Sequence, residues 1–197
     1  MPTGLRREIH CDDFLAPGTQ VKRGSVDLVL TSPPYMNNYH YVRNMRPQLF
    51  WLSLLTEPDD LRQLEQRNFG KYWQTVRDAD PIPLHCTHPP LAQTLKTLRS
   101  TRAALGAYGG PGWANYLASY FNDCDRFLAI LREVLRRRGA AVVVIGDSII
   151  QGIHIPTEQV LGELAEARGL RLEKIVVLRA KREGVKPAAN FGMPTMK

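Results

Sequence analysis

Apolar positions along the chain follow two periods. Short runs of β-branched and aliphatic residues mark strands at 26–30 (Val26, Leu28, Val29, Leu30), at 140–145 and at 172–178, with a weaker candidate at 8–11. The run at 140–145 has no polar alternation, which predicts a strand buried on both faces of a parallel sheet. Helical spacing fills the intervals. Leu49, Phe50, Leu52, Leu54 and Leu55 cluster in a helical stretch from about 44 to 64, with a stop and fresh start at Glu57, Pro58, Asp59 and Asp60. A second helical stretch covers 91–105, and the glycine-rich segment 106–112 punctuates the chain. A long helix at 113–138 carries Tyr116, Leu117, Tyr120, Phe121, Phe127 and Leu128, and ends in Arg136, Arg137 and Arg138 before Gly139. Basic residues there suit the negative end of a helix dipole, and the glycine suits a left-handed cap. An amphipathic helix at 156–168 closes on Gly169.

Strand, helices, strand, helix, strand is the order of an α/β, doubly wound sheet. Residues 1–48 and 113–197 supply it, and 49–112 form a mostly helical insertion. At 197 residues, 44% hydrophobic and 23% charged, the chain is long enough for one globular core. No stretch reaches the roughly 18 apolar residues of a membrane span, and the N-terminus has no signal-peptide core, so no membrane association and a cytoplasmic location are expected. Cys11, Cys86 and Cys124 are odd in number and far apart, which fits reduced thiols. His85, Cys86 and His88 sit within four residues without a distant partner ligand, so no metal site is expected. An excess of 26 Lys and Arg over 19 Asp and Glu gives a formal charge of +7, which favours a polyanionic partner such as nucleic acid.

The strand at 26–30 stops at Thr31, Ser32, Pro33, Pro34 and Tyr35. Two prolines lack ladder donors, so the chain leaves the sheet here, at the carboxyl end of a strand, where doubly wound sheets bind ligands. The residue types suit an exocyclic base amine. Such an amine is a poor nucleophile, because its lone pair is delocalised into the ring, and it must be held in line with an activated methyl. The Ser32 hydroxyl and the Pro33 carbonyl offer two acceptors for its N–H bonds, Pro34 restricts the backbone, and Tyr35 offers a face for a flipped base. A rigid turn whose tyrosine covers an apolar edge is the alternative. Asn37, Tyr39, Arg43 and Arg46 follow, a mixture of amide, aromatic and cation suited to bases and phosphates; core packing of a tyrosine and solvated arginines would produce the same pattern. Arg136–Arg138 touch phosphate or only cap their helix.

This segment resembles motif IV of the S-adenosylmethionine-dependent amino-methyltransferases, the family that methylates exocyclic amines of cytosine or adenine in DNA. Asp12 and Asp13 before the strand resemble the family's acidic lead-in, and the helix, strand and Gly146-Asp147-Ser148 downstream resemble its next helix and strand. The resemblance covers about two thirds of the chain and leaves 56–112 unmatched. It implies a Rossmann-like sheet, S-adenosyl-L-methionine as cofactor and DNA as partner. Ser32, Pro33, Pro34 and Tyr35 would be catalytic, and Asp12, Asp13, Thr31, Asp147 and Ser148 would bind cofactor. Asn37, Tyr39, Arg43 and Arg46 would bind nucleic acid, and 49–112 would serve as a target-recognition region. For the acids, solvated loop positions and a helix cap or turn are the alternatives. Serine at the first motif position leans toward cytosine N4 over adenine N6. The family's Phe-x-Gly-x-Gly cofactor loop has no counterpart: Gly109, Gly110 and Gly112 follow a helical segment, not a buried strand. With about four of seven family strands placed, the sheet is expected to be incomplete, its other half carried by a second polypeptide or a longer gene, or lost. Two other functions stay open, methylation of an RNA or protein amide amine and a non-catalytic nucleic-acid-binding fragment.

Overall fold

The computed structural model describes residues 7–16, 18, 20–36 and 40–178. Its centre is one helix, α5 (Gly110–Val134), whose Leu117, Tyr120 and Phe121 are entirely shielded from solvent. Against it pack α3 (Trp73–Val76), α4 (Pro89–Ser100), a 3-10 turn (Ala103–Tyr108) and α6 (Thr157–Ala167). Leu91, Leu95 and Leu98 of α4 recur every three or four residues and bury one face on α5. Away from this centre, α1 (Tyr41–Trp51) packs on α2 (Pro58–Arg67). The break expected near Pro58 is present: Asp60 Oδ2 accepts from the Thr56 and Glu57 amides at 3.0 and 2.9 Å and closes the first turn of α2.

The glycine-rich segment is a packing contact as well as punctuation. A Cβ on Gly110 would stand 1.7 Å from the Leu98 carbonyl oxygen, and one on Gly112 would stand 2.0 Å from that of Ala107. The start of α5 touches the backbone of the two preceding elements, which only glycine permits.

The strands depart most from expectation. β1 (Val26–Thr31) pairs in parallel with β2 (Leu135–Val143), and β3 (Ser148–Ile150) pairs antiparallel with β4 (Ile153–Ile155) in a hairpin turned by Gln151 and Gly152, both at positive φ. The described residues form these two pairs and no doubly wound sheet. Arg136, Arg137 and Arg138 are not the last turn of α5. The helix ends at Val134, because the chain entering β1 takes its final carbonyls: Gly24 N–H donates to Glu133 O at 2.9 Å and Ser25 N–H to Val134 O at 3.0 Å. The arginines then bulge at the start of β2, where the register jumps from Val26–Leu135 to Leu28–Ala140, and Arg136 pairs with Asp27.

Burial on both faces is also absent. Leu28 is 58% exposed, Leu30 73% and Val142 49%, since nothing among the described residues covers that side of the pair. Residues 8–11 and 172–178 are not strands: no neighbouring strand offers them a ladder, and the second segment is anchored at Leu172, which packs over Gly162 of α6. α6 is tied to α5 by Arg168, whose guanidinium donates through Nε and Nη2 to both oxygens of the buried Asp125.

Candidate active site

Thr31 ends β1 inside the parallel pair, its carbonyl accepting from Val144 N–H at 2.9 Å, so the next four residues leave from the carboxyl edge of the sheet. Pro33 is buried and Ser32 exposed. Three neighbouring elements meet the loop. From α5, the Tyr120 hydroxyl donates to Pro34 O at 3.1 Å; from β3, the Ser148 hydroxyl donates to Met36 O at 2.9 Å. Beyond β2, Gly146 seats the Tyr35 ring, whose edge stands 3.4 Å from where a Cβ would lie. Ser32 Oγ is 3.4 Å from the Tyr35 hydroxyl, a long contact that leaves the serine oxygen able to accept a further donor.

Of the expected cofactor residues, Thr31 ends β1 directly before this loop and Asp147 follows Gly146 in the connection from β2 to β3, while Asp12 and Asp13 fold on themselves. Asp13 Oδ1 accepts from Leu15 N–H and Asp12 Oδ1 from Asp13 N–H, both at 2.9 Å, which makes a turn that sets Leu15 into the core and Phe14 beside Phe127. No hydrogen bond joins either acid to the motif among the described residues. Ser148 is buried and its proton is committed to Met36, so it supports the loop from behind. Asp147 Oδ2 lies 2.8 Å from His154 Nε2. Partial burial works against the Asp147 charge, yet hydrogen bonds from Glu158 and His154 prevail and hold its carboxyl below the usual range. Glu158 is raised, by burial first and then by the neighbouring Asp147.

Asn37 and Tyr39 lie outside the described residues. Arg43 and Arg46 project from the exposed side of α1, Arg46 with its guanidinium 5.9 Å from the Phe50 ring centroid. His40 caps α1, its Nδ1 accepting from Arg43 N–H at 2.9 Å, while Nε2 sits 3.6 Å from Glu65 and the ring meets Tyr72 edge-on at 4.1 Å. Burial lowers the His40 pKa, against the pull of Glu65. Pro34, Tyr35, His40, Glu65, Asn68 and Tyr72 border a cleft between the Thr31–Tyr35 loop and residues 65–72. Its enclosed volume is only about 20 Å³, room for one water.

Sequence reasoning missed the parts played by Tyr120, Gly70, Asp123 and Glu65, which reach the motif region from far along the chain, Glu65 through its pairing with His40. The β3–β4 hairpin was missed too, although two short isoleucine-bearing runs around Gln151 and Gly152 are a signal that could have found it. His88, weighed as a metal ligand, caps α4 through Nδ1, which accepts from Leu91 N–H at 3.0 Å.

No protein-family profile matches the chain, and no solved structure does. Two curated proteins match, the Type II methyltransferase M.AvaI of Nostoc sp. (strain PCC 7120) and its namesake from Anabaena variabilis, each 25% identical over 161 residues, 77% of this chain and 32% of the relative. The chain is a distant relative of a Type II methyltransferase. It spans about a third of the length of these relatives. The mixed α/β structure with a small parallel sheet is compatible with a methyltransferase-like fold. No helix among the described residues is long and apolar enough to cross a membrane.

Proposed function

We propose that the chain carries the target-amine site of an S-adenosylmethionine-dependent DNA methyltransferase, with cytosine N4 favoured over adenine N6. The observation that supports this best is the Thr31–Tyr35 loop at the carboxyl end of a parallel strand, held from α5, β2 and β3, in a chain similar to a Type II methyltransferase. Ser32 Oγ and the Pro33 carbonyl accept the two N–H bonds of the base amine and turn its lone pair toward the methyl. Tyr35 stacks on the flipped base, a contact worth about 1–3 kcal/mol in other base–aromatic pairs. As the new N–C bond forms and the sulfonium C–S bond breaks, the amine loses one proton to water. No cysteine is needed, since no ring carbon is attacked, and Cys124 is buried with its thiol pKa pushed up, chiefly by that burial.

The donor set fits the cofactor in part. Asp147, ionised and beside the Tyr35 seat, suits an ammonium or ribose hydroxyls, and Thr31 stands at the same strand edge. S-adenosylmethionine supplies the electrophilic methyl when bound. Asp12 and Asp13 join such a site only if their turn opens. Arg43 and Arg46 face the DNA backbone, and the insertion 49–112 reads the target.

A second reading, a nucleic-acid-binding part that gains activity only with a second polypeptide, is favoured by the uncovered Leu28, Leu30 and Val142. Transfer of labelled methyl from S-adenosylmethionine to duplex DNA, with RNA as competitor, tests both. The expected result is incorporation into DNA that Ser32→Ala or Tyr35→Ala abolishes while the far-UV spectrum is unchanged. Equal transfer by both variants would sink the site assignment. Salt-sensitive DNA binding indifferent to S-adenosylmethionine, without transfer, would favour the second reading.

A further inference from the structure

The loop has a mechanical weakness that the rest of the molecule must correct. Neither Pro33 nor Pro34 has a backbone N–H, so these residues cannot be pinned by donors of their own, and the Pro34 carbonyl is held by a group that reaches in from elsewhere. That group is Tyr120. It lies in mid-helix, entirely shielded from solvent, and its hydroxyl donates to Pro34 O at 3.1 Å across 86 residues of sequence. Burial keeps the phenol protonated, so it acts as a donor at any working pH. Its ring is held in turn. Phe69 meets it edge-on at 6.0 Å, and Gly70, at φ +62°, lies so close that a Cβ there would stand 2.9 Å from the ring. One turn along α5, Asp123 accepts from Gly70 N–H at 3.1 Å and from Lys71 Nζ at 3.0 Å, which clamps this segment of the insertion over the tyrosine.

Resting on the proposed methyl-transfer reading, we propose that Tyr120 is a positioning residue. Through the Pro34 carbonyl it sets the orientation of the neighbouring Pro33 acceptor, and the Asp123–Gly70–Lys71 clamp holds its ring in place, so the insertion and the motif share one support. Tyr120 touches neither substrate nor cofactor; it acts through the Pro34 carbonyl. Ser148 on Met36 secures the far end of the loop, so loss of Tyr120 frees the proline end selectively.

The test compares the full chain with Tyr120→Phe, which keeps the ring and removes only the donor. Hydrogen exchange at the Tyr35 amide, the first N–H after the two prolines, should rise about tenfold while α5 amides stay protected. In the transfer assay kcat should fall about 10- to 100-fold, the loss that small misplacement of reacting groups brings, with KM for DNA and for S-adenosylmethionine little changed. Unchanged loop exchange in folded Tyr120→Phe would overturn the proposal, as would an unchanged kcat in an active enzyme. Should Tyr120→Phe not fold, Gly70→Ala, which pushes the ring from its seat, must raise the same exchange rate, and failure to do so would equally overturn it. If the wild-type chain transfers no methyl at all, the methyltransferase reading falls while the exchange measurement still decides the role of Tyr120.

Discussion

At the scale of single residues, what matters is which groups are already committed. Ser148 and Tyr120 donate to loop carbonyls, Asp13 closes its own turn, and Asp147 lies in a pair with Glu158 and His154; Ser32 alone of the motif's polar groups faces solvent with a weak contact. His40 is a pH-sensitive member of the cleft wall. Its folded-state pKa lies below the ordinary 6.5, so the unfolded chain binds the extra proton first, and the native state loses stability as pH falls through and below that value. Stability should therefore be flat above about pH 7 and decline toward pH 5. Urea unfolding across this range checks it: His40→Asn, which preserves an acceptor for the α1 cap, should flatten part of the decline. An identical slope in the variant would show that other groups carry the pH dependence.

At the scale of elements, α5 organises the fold because nearly every neighbour packs against it, and its position depends on glycines that approach other backbones. Gly110→Ala would drive a Cβ into the Leu98 carbonyl, so α5 and α4 would have to separate. The expected cost is about 3 kcal/mol, at the upper end for overpacking, read as a lower urea midpoint with an unchanged slope. Gly18→Ala, where nothing lies within 4 Å of the added carbon, serves as a comparison that carries only the strain of its positive φ. The close approach was not legible in the sequence, where 106–112 read only as punctuation. Helix existence was legible at α1, α2, α4, α5 and α6, because apolar residues recur at helical spacing; the ends were not, because the last carbonyls of α5 are taken by Gly24 and Ser25.

At the scale of the whole molecule, the two-stranded parallel pair is the unusual feature. Parallel strands are ordinarily covered on both faces, yet Leu28, Leu30 and Val142 stand open, and Ile175, Val176, Val177 and Leu178 are exposed as well. Such a surface promotes association of the chain by itself. Sedimentation at rising concentration should show self-association that Leu30→Lys reduces while the thermal transition stays in place, since Leu30 buries little in the native state. Concentration-independent monomers in both proteins would remove the exposed pair as an association surface.

The sequence alone determined what depends on local chemistry: where the main helices lie, and that the chain leaves β1 through a Ser-Pro-Pro-Tyr loop at the strand end. These follow from periodicity and from proline's missing donor. Tertiary structure decided the rest. Strands at 172–178 and 8–11 needed a neighbour to pair with, and Arg136–Arg138 became a bulge because β1 captured the end of α5. The supports of the motif, Tyr120 and Ser148, come from 86 and 112 residues away along the chain, and no sequence spacing encodes a hydrogen bond between segments that meet only when the core is packed.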